Sequence, residues 1–162
     1  MKDSRELTHI DSEGRPRMVD VSEKEQTTRR AVATGRIVTS PDALQRIMTG
    51  DLEKGSVVRV AELAGIMGGK KTHDLIPLCH QLTGANVTVR LEADTDLPGI
   101  VAQAEVTVAG QTGVEMEALT AVSVALLTVY DMVKSVDRGM RIEGIRLLSK
   151  KGGRSGSWTT EE

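Results

Sequence analysis

The sequence predicts an α+β fold, with helices packed on one face of an antiparallel sheet. Three observations carry this reading. Two alternating segments, Ala85–Ala93 (ANVTVRLEA) and Gly99–Ala109 (GIVAQAEVTVA), flank an Asp/Pro/Gly turn and read as a hairpin. The longest apolar-periodic run, Thr112–Lys134, follows directly. Further strand-like segments stand before and after, with shorter helical segments between them.

In chain order, residues 1–16 are polar and charged and read as a flexible arm, followed by a single domain over 17–150. Met18–Val21 (MVDV) alternates and predicts a short strand with Asp20 on its polar side. Thr27–Thr39 is rich in Val, Ile and Thr and predicts a longer strand. Ser40-Pro41-Asp42 opens a helix with a capping serine, a first-turn proline and an acid. Leu44, Ile47 and Met48 give it an apolar face, and Gly50 stops it. After Lys54-Gly55, a second helix places Val57, Val60, Ala61, Ala64 and Met67 at helical spacing, with Gly68-Gly69 a weak point inside or just after it. Leu78–Leu82, after Pro77, reads as loop. Met140–Leu148 is a last strand, and 151–162 a basic, glycine-rich tail.

Within the long run, Leu119, Val122, Leu126, Val129, Val133 and Val136 repeat at three- and four-residue steps. Small residues at 118, 121, 123 and 125 let a second helix approach closely and, with the broad apolar surface, suit packing against a partner. Glu115 and Glu117 share a face if their segment is extended and point roughly 200° apart if it is helical. Asp131 and Lys134 sit on one face at the other end. The rise from 118 to 131 is roughly 20 Å, so one small-molecule site can hardly use both ends of a single straight helix.

Composition narrows the functional classes. The formal net charge is −2, and Tyr130 and Trp158 are the only aromatics, so a basic field and base-stacking platforms are both lacking and nucleic acid is not the expected partner. One cysteine, Cys79, fits a reducing compartment, and the first residues hold no apolar leader; both point to the cytoplasm. The long apolar run carries Glu, Asp and Lys at its ends, which favours a buried helix over a membrane span.

Several groups carry possible chemistry. Gly65–Thr72 only partly matches a phosphate loop: Ala64 and Lys71 break the pattern, and the segment follows a helix rather than a strand. Lys70 and Lys71 are then solvated lysines or site cations. Cys79-His80 near His73 lacks the paired spacing of zinc ligands, which favours either a buried Cys with a hydrogen-bonded His or a catalytic or substrate-orienting His80. Glu115 and Glu117 read as helix-start acids or site groups. Asp131 with Lys134 reads as a surface pair or an acid/base pair. The Ser149–Ser157 segment is either disordered or a cationic backbone nest for phosphate.

Taken together, LTHID, MVDVS, KKTHDLIPLCHQL, TGVEMEALTAVSVALLTVYDMVKSV and RLLSKKGGRSG closely resemble the cyclic pyranopterin monophosphate synthase family (molybdenum cofactor biosynthesis protein C, MoaC), from Leu7 to Gly156. The resemblance implies a ferredoxin-like fold and a hexamer, a trimer of dimers with sites between subunits. It implies a lyase that converts (8S)-3′,8-cyclo-7,8-dihydroguanosine 5′-triphosphate to cyclic pyranopterin monophosphate and releases pyrophosphate. The functional partner is a radical S-adenosylmethionine GTP cyclase. No cofactor is implied beyond Mg²⁺ travelling with the triphosphate, and no resident metal. By the same resemblance, Lys54, Lys70, Asp131 and Lys134 are catalytic. Asp20, Arg29, Leu78, Cys79, His80, Glu115, Met116, Glu117 and Lys150 bind substrate. Two departures stand out: Gly68-Gly69 where alanines can occur, which would loosen that helix end, and His73 where an aromatic can occur. Two other functions remain open at this point: a non-catalytic oligomeric module that presents a nucleotide to a partner, and a metal-dependent hydrolase around Cys79 and His80.

Overall fold

The computed structural model describes residues 9–50, 55–153 and 156–160. The strands are β1 (Thr27–Val38), β2 (Asn86–Asp94), β3 (Gly99–Gly110), β4 (Arg141–Lys151) and β5 (Trp158–Thr159). The helices are α1 (Pro41–Thr49), α2 (Val57–Lys70), the single-turn α3 (Thr72–Leu75) and α4 (Glu115–Val133). Among the described residues the sheet order is β2-β3-β1-β4-β5, every pair antiparallel. With α2 crossing from β1 to β2 and α4 from β3 to β4, this is the ferredoxin-like arrangement.

The expected hairpin is present, in unbroken register from Asn86 opposite Thr107 to Asp94 opposite Gly99. Ser40 accepts the N–H of Ala43 at the start of α1, and Gly50 closes that helix in the left-handed conformation. Met18–Val21 departs from expectation. It forms no strand: the His80 ring takes the Val19 carbonyl, and Asp20 turns the chain by accepting the Ser22 N–H. Of the expected flexible arm, 1–16, residues 1–8 lie outside the described residues, and 9–16 include a tight turn in which Asp11 accepts the N–H groups of Glu13 and Arg15. β4 runs to Lys151, beyond the expected Leu148. Two register shifts against β1 mark it, one beside Gly144 at φ 66°, where a bulge needs the left-handed backbone.

The core lies between the sheet and the α2/α4 layer. Alanines on the helix-facing side of the sheet, Ala31, Ala33, Ala102 and Ala104, bring the helices close. Met48, Val60 and Met67, expected on apolar faces, are exposed instead. The buried stripe of α2 is Val57, Ala61, Gly65, Gly68 and Gly69. The tight helix approach that the small residues suit, expected against a partner, is met within the chain, by the α2 glycines against Ala121 and Ala125 of α4. A Cβ at Gly68 would lie 2.6 Å from the Val124 side chain, so the glycines are a packing requirement rather than a loosened end. α4 is long and apolar enough to cross a membrane, but 56% of its apolar window is buried against its own fold, as suits a core helix.

Candidate active site

One end of α4 gathers the chemistry. α3 stops at Leu75, and Pro77 follows. Leu78 then takes φ 63°, a left-handed backbone that a non-glycine side chain adopts at a cost on the order of 1–2 kcal/mol. This turn carries Cys79 and His80 toward the start of α4. The Cys79 thiol lies 3.6 Å from Glu117 Oε1, so its partner is a carboxyl group and not the neighbouring His80. His80 Nε2 lies 2.9 Å from the Val19 carbonyl. A carbonyl only accepts, so Nε2 is the donor in this bond.

The segment from Glu115 is helical, so Glu115 and Glu117 diverge. Glu115 Oε1 lies 3.4 Å from Lys150 Nζ on β4. Glu117 is only 5% exposed, and its Oε2 has no hydrogen-bond partner. Burial first, and then the like charge of Glu115, raise its pKa above the ordinary glutamate value, against lowering by its hydrogen bonds and His73. Burial, with Glu117 adding to it, pushes the Cys79 thiol up to about 11.

Two adjoining cavities surround this end. The first, about 990 Å³, is lined by Asp20, Lys24, Arg29, Arg30, Glu115, Lys150, Lys151 and the Gly152-Gly153 turn, among others. Arg29 is 8% exposed, and its guanidinium donates to the Gly110 and Gln111 carbonyls at 3.1 and 3.3 Å. Both turn glycines have positive φ, and a Cβ on Gly153 would overlap the Arg29 guanidinium. The Ser22 N–H holds the exposed Asp20 carboxyl below its ordinary value. The second cavity, about 740 Å³, is lined by Leu78, Cys79, His80, Met116, Glu117 and residues of the N-terminal segment. Lys24, Thr112, Gly113, Glu115 and Lys150 line both, so the Glu115–Lys150 pair stands in the shared wall.

The remaining expected residues lie apart. The Asp131–Lys134 pair, at 2.6 Å, is exposed at the far end of α4 and lines neither cavity. Lys70, exposed at the end of α2, lines neither as well. Lys54 lies outside the described residues. Two wall residues had no signal in the sequence pattern. Lys24 sits in an irregular segment, and Gln111 anchors that segment by donating its amide to the Ser22 and Lys24 carbonyls. Among the described residues, no three His, Cys, Asp or Glu side chains gather where they could hold a metal ion.

A family model described as the MoaC family matches residues 18–153. The chain belongs to the MoaC family. Its relatives span it almost end to end. A protein of Methylobacterium sp. (strain 4-46) is 63% identical over 155 residues, 96% of this chain and 97% of its own. One of Cereibacter sphaeroides is 61% identical over 150 residues, 93% of this chain and 94% of its own. One of Chloroflexus aggregans is 53% identical over 157 residues, 97% and 95%. All three are named cyclic pyranopterin monophosphate synthase. Apart from His9, the residues that line the two cavities of this MoaC-family chain fall within the matched span, Leu78, Cys79, His80, Met116 and Glu117 among them.

Proposed function

We propose that this chain is a cyclic pyranopterin monophosphate synthase, a cytoplasmic lyase of molybdenum cofactor biosynthesis. It converts 3′,8-cyclo-7,8-dihydro-GTP to the cyclic product with loss of pyrophosphate. The observation that carries the reading is identity of 53–63% to proteins of that name over nearly the full chain. The site geometry agrees with it. A triphosphate needs cations and backbone N–H groups, which Arg29, Lys150, Lys151 and the Gly152-Gly153 turn supply around the first cavity. Opening one ring and closing another moves protons without net redox change. Glu117 and His80 in the second cavity offer groups of that type. Mg²⁺ enters with the triphosphate as part of the substrate. Purified protein incubated with enzymatically made 3′,8-cyclo-7,8-dihydro-GTP is expected to release pyrophosphate and form the cyclic pterin; tight binding without turnover would favour a presenting module instead.

Lys150 serves phosphate binding from the wall between the cavities. Lys150→Ala is expected to raise KM for the triphosphate substrate about tenfold and to flatten its dependence on salt, because one screened charge contact is lost. Unchanged KM and salt slope would remove Lys150 from phosphate binding.

Asp131 and Lys134 act in this proposal from a neighbouring subunit of a hexamer, a trimer of dimers. Helix length supports this reading: Glu115 and Lys134 lie at opposite ends of a 19-residue helix whose C-cap is Lys134, too far apart for one chain to bring both to one small-molecule site. A two-fold contact makes two equivalent composite sites. An inactive Glu115 variant and an inactive Lys134 variant, dissociated and reassembled together, are expected to recover about a quarter of wild-type activity at equal mixing, since half the dimers are mixed and half of their sites are intact. No recovery despite proven mixing would place both residues of each site in one chain.

A further inference from the structure

Part of the lining of both cavities comes from a segment without regular structure. Residues 17–26 form neither helix nor strand. Asp20, Glu23, Lys24 and Glu25 nevertheless line the first cavity, and Val19, Val21 and Lys24 the second. Ordering such backbone is entropically costly, so its place depends on what grips it. Bonds within the segment shape its turn: the Ser22 N–H donates to Asp20, and the Lys24 N–H to the Val21 carbonyl. Two side chains from distant parts of the chain reach it. His80 holds the Val19 carbonyl at 2.9 Å, and the Gln111 amide donates to the Ser22 and Lys24 carbonyls at 3.2 and 2.9 Å.

Gln111 is itself held at its root. It directly follows β3, and its own carbonyl accepts Arg29 Nη2 at 3.3 Å, while the Gly110 carbonyl accepts Nε at 3.1 Å. Arg29 is 8% exposed, so the backbone of Gln111 is tied to a buried cation. The orientation of its amide is fixed by chemistry. Ser22 and Lys24 present two acceptors, and only the NH2 end of the amide carries two hydrogens to match them. We propose that Gln111 is a positioning residue: it ties the 19–25 segment to the Arg29 corner of the site, so that Asp20 and Lys24 already stand in the wall when a phosphate-bearing ligand arrives. Gln111 acts through that segment and not on the reacting atoms.

The consequence is a matter of populations. With the amide in place, the segment is held at Val19, Ser22 and Lys24. Without it, the His80 contact remains at one end, and the stretch that carries Lys24 is released. Only a fraction of the molecules then present a complete wall, and apparent affinity falls by that fraction. The net worth of one modest hydrogen bond sets the size of the change at roughly five- to tenfold. Once substrate is bound, its own contacts hold the segment, so the rate of the bound complex changes little.

This inference rests on the reading of the cavities as the synthase's substrate site, and its test separates the two. Hydrogen exchange of the full chain without substrate is read at the amides of residues 18–26. Gln111→Ala is expected to speed it at least about fivefold, with exchange in β1, β3 and α4 unchanged. Gln111→Glu has the same size but turns a carboxylate toward two carbonyls, and is expected to speed exchange at least as much. A residue that merely filled space would leave exchange slow in the glutamate variant. With substrate, Gln111→Ala is expected to raise KM roughly five- to tenfold and to change kcat by less than about twofold. Exchange that stays slow in both variants would overturn the anchor. Faster exchange with an unchanged KM would overturn its part in binding, and so would a fall in kcat alone. A wild-type chain that forms no cyclic product would overturn the synthase reading. The exchange rates, together with the affinity of wild type and Gln111→Ala for inorganic triphosphate, would then still decide whether Gln111 sets the wall.

Discussion

Gly65→Val is expected to lower folding stability by about 3 kcal/mol or more, with the melting temperature falling roughly 6–12 °C for a chain of this size. The reason is local. A Cβ at Gly65 would lie 2.8 Å from the Ala121 carbonyl oxygen, 3.1 Å from the Ala125 Cβ and 3.2 Å from Val89 Cγ1. The first is backbone of a helix packed on a sheet and cannot swing aside as a flexible side chain would. Valine adds two further methyl groups to that space. The helix propensity regained by replacing glycine is only a few tenths of a kcal/mol and does not offset the overlap. Leu63→Ala, two residues away on the exposed face of α2, is the matched control and is expected to change stability by less than about 0.5 kcal/mol. Equal melting temperatures for Gly65→Val and wild type would show that α2 can move away from α4 at no cost.

Glu117→Gln is expected to reduce kcat by about 100-fold or more, the usual worth of a general acid, while making the protein more stable at neutral pH. The second effect has a definite sign. Burial raises the folded-state pKa above the ordinary glutamate value. The contribution of Glu117 to stability is therefore fully present below the unfolded pKa and is lost as pH rises through the raised folded value. Glutamine removes that loss. The advantage of the variant over wild type should then be small near pH 4 and grow with pH until the folded-state carboxyl is fully ionised. Thermal melts of both proteins across that range decide it. A stability difference that stays flat with pH would mean Glu117 titrates like an exposed carboxylate.

Local rules carried the hairpin, the Ser40 cap and the long helix, because alternation, capping and helical spacing each act within a few residues. They failed where distant groups decide. Gly68-Gly69 reads as a break by propensity alone, yet the helix passes through it because α4 leaves no room for a Cβ. Met18–Val21 alternates like a strand, but His80, about 60 residues later, takes one of its carbonyls. In the site, Glu117 and His80 were candidates from sequence motifs. The Cys79–Glu117 pairing was not legible, since it depends on a left-handed Leu78 that no residue type announces. The separation of Asp131 and Lys134 from the other candidates was legible, because helix rise is a constant.

The short fifth strand has a practical consequence. Trp158 is the single tryptophan of the chain and pairs in the ladder with Lys150, whose side chain stands in the wall between the two cavities. At 45% exposure the residue is partly open to solvent. With one tyrosine and no phenylalanine elsewhere, its emission is almost free of background. The fold thus carries a built-in optical gauge one backbone pairing away from the wall proposed to bind phosphate, and occupancy there can be followed by fluorescence without adding a dye.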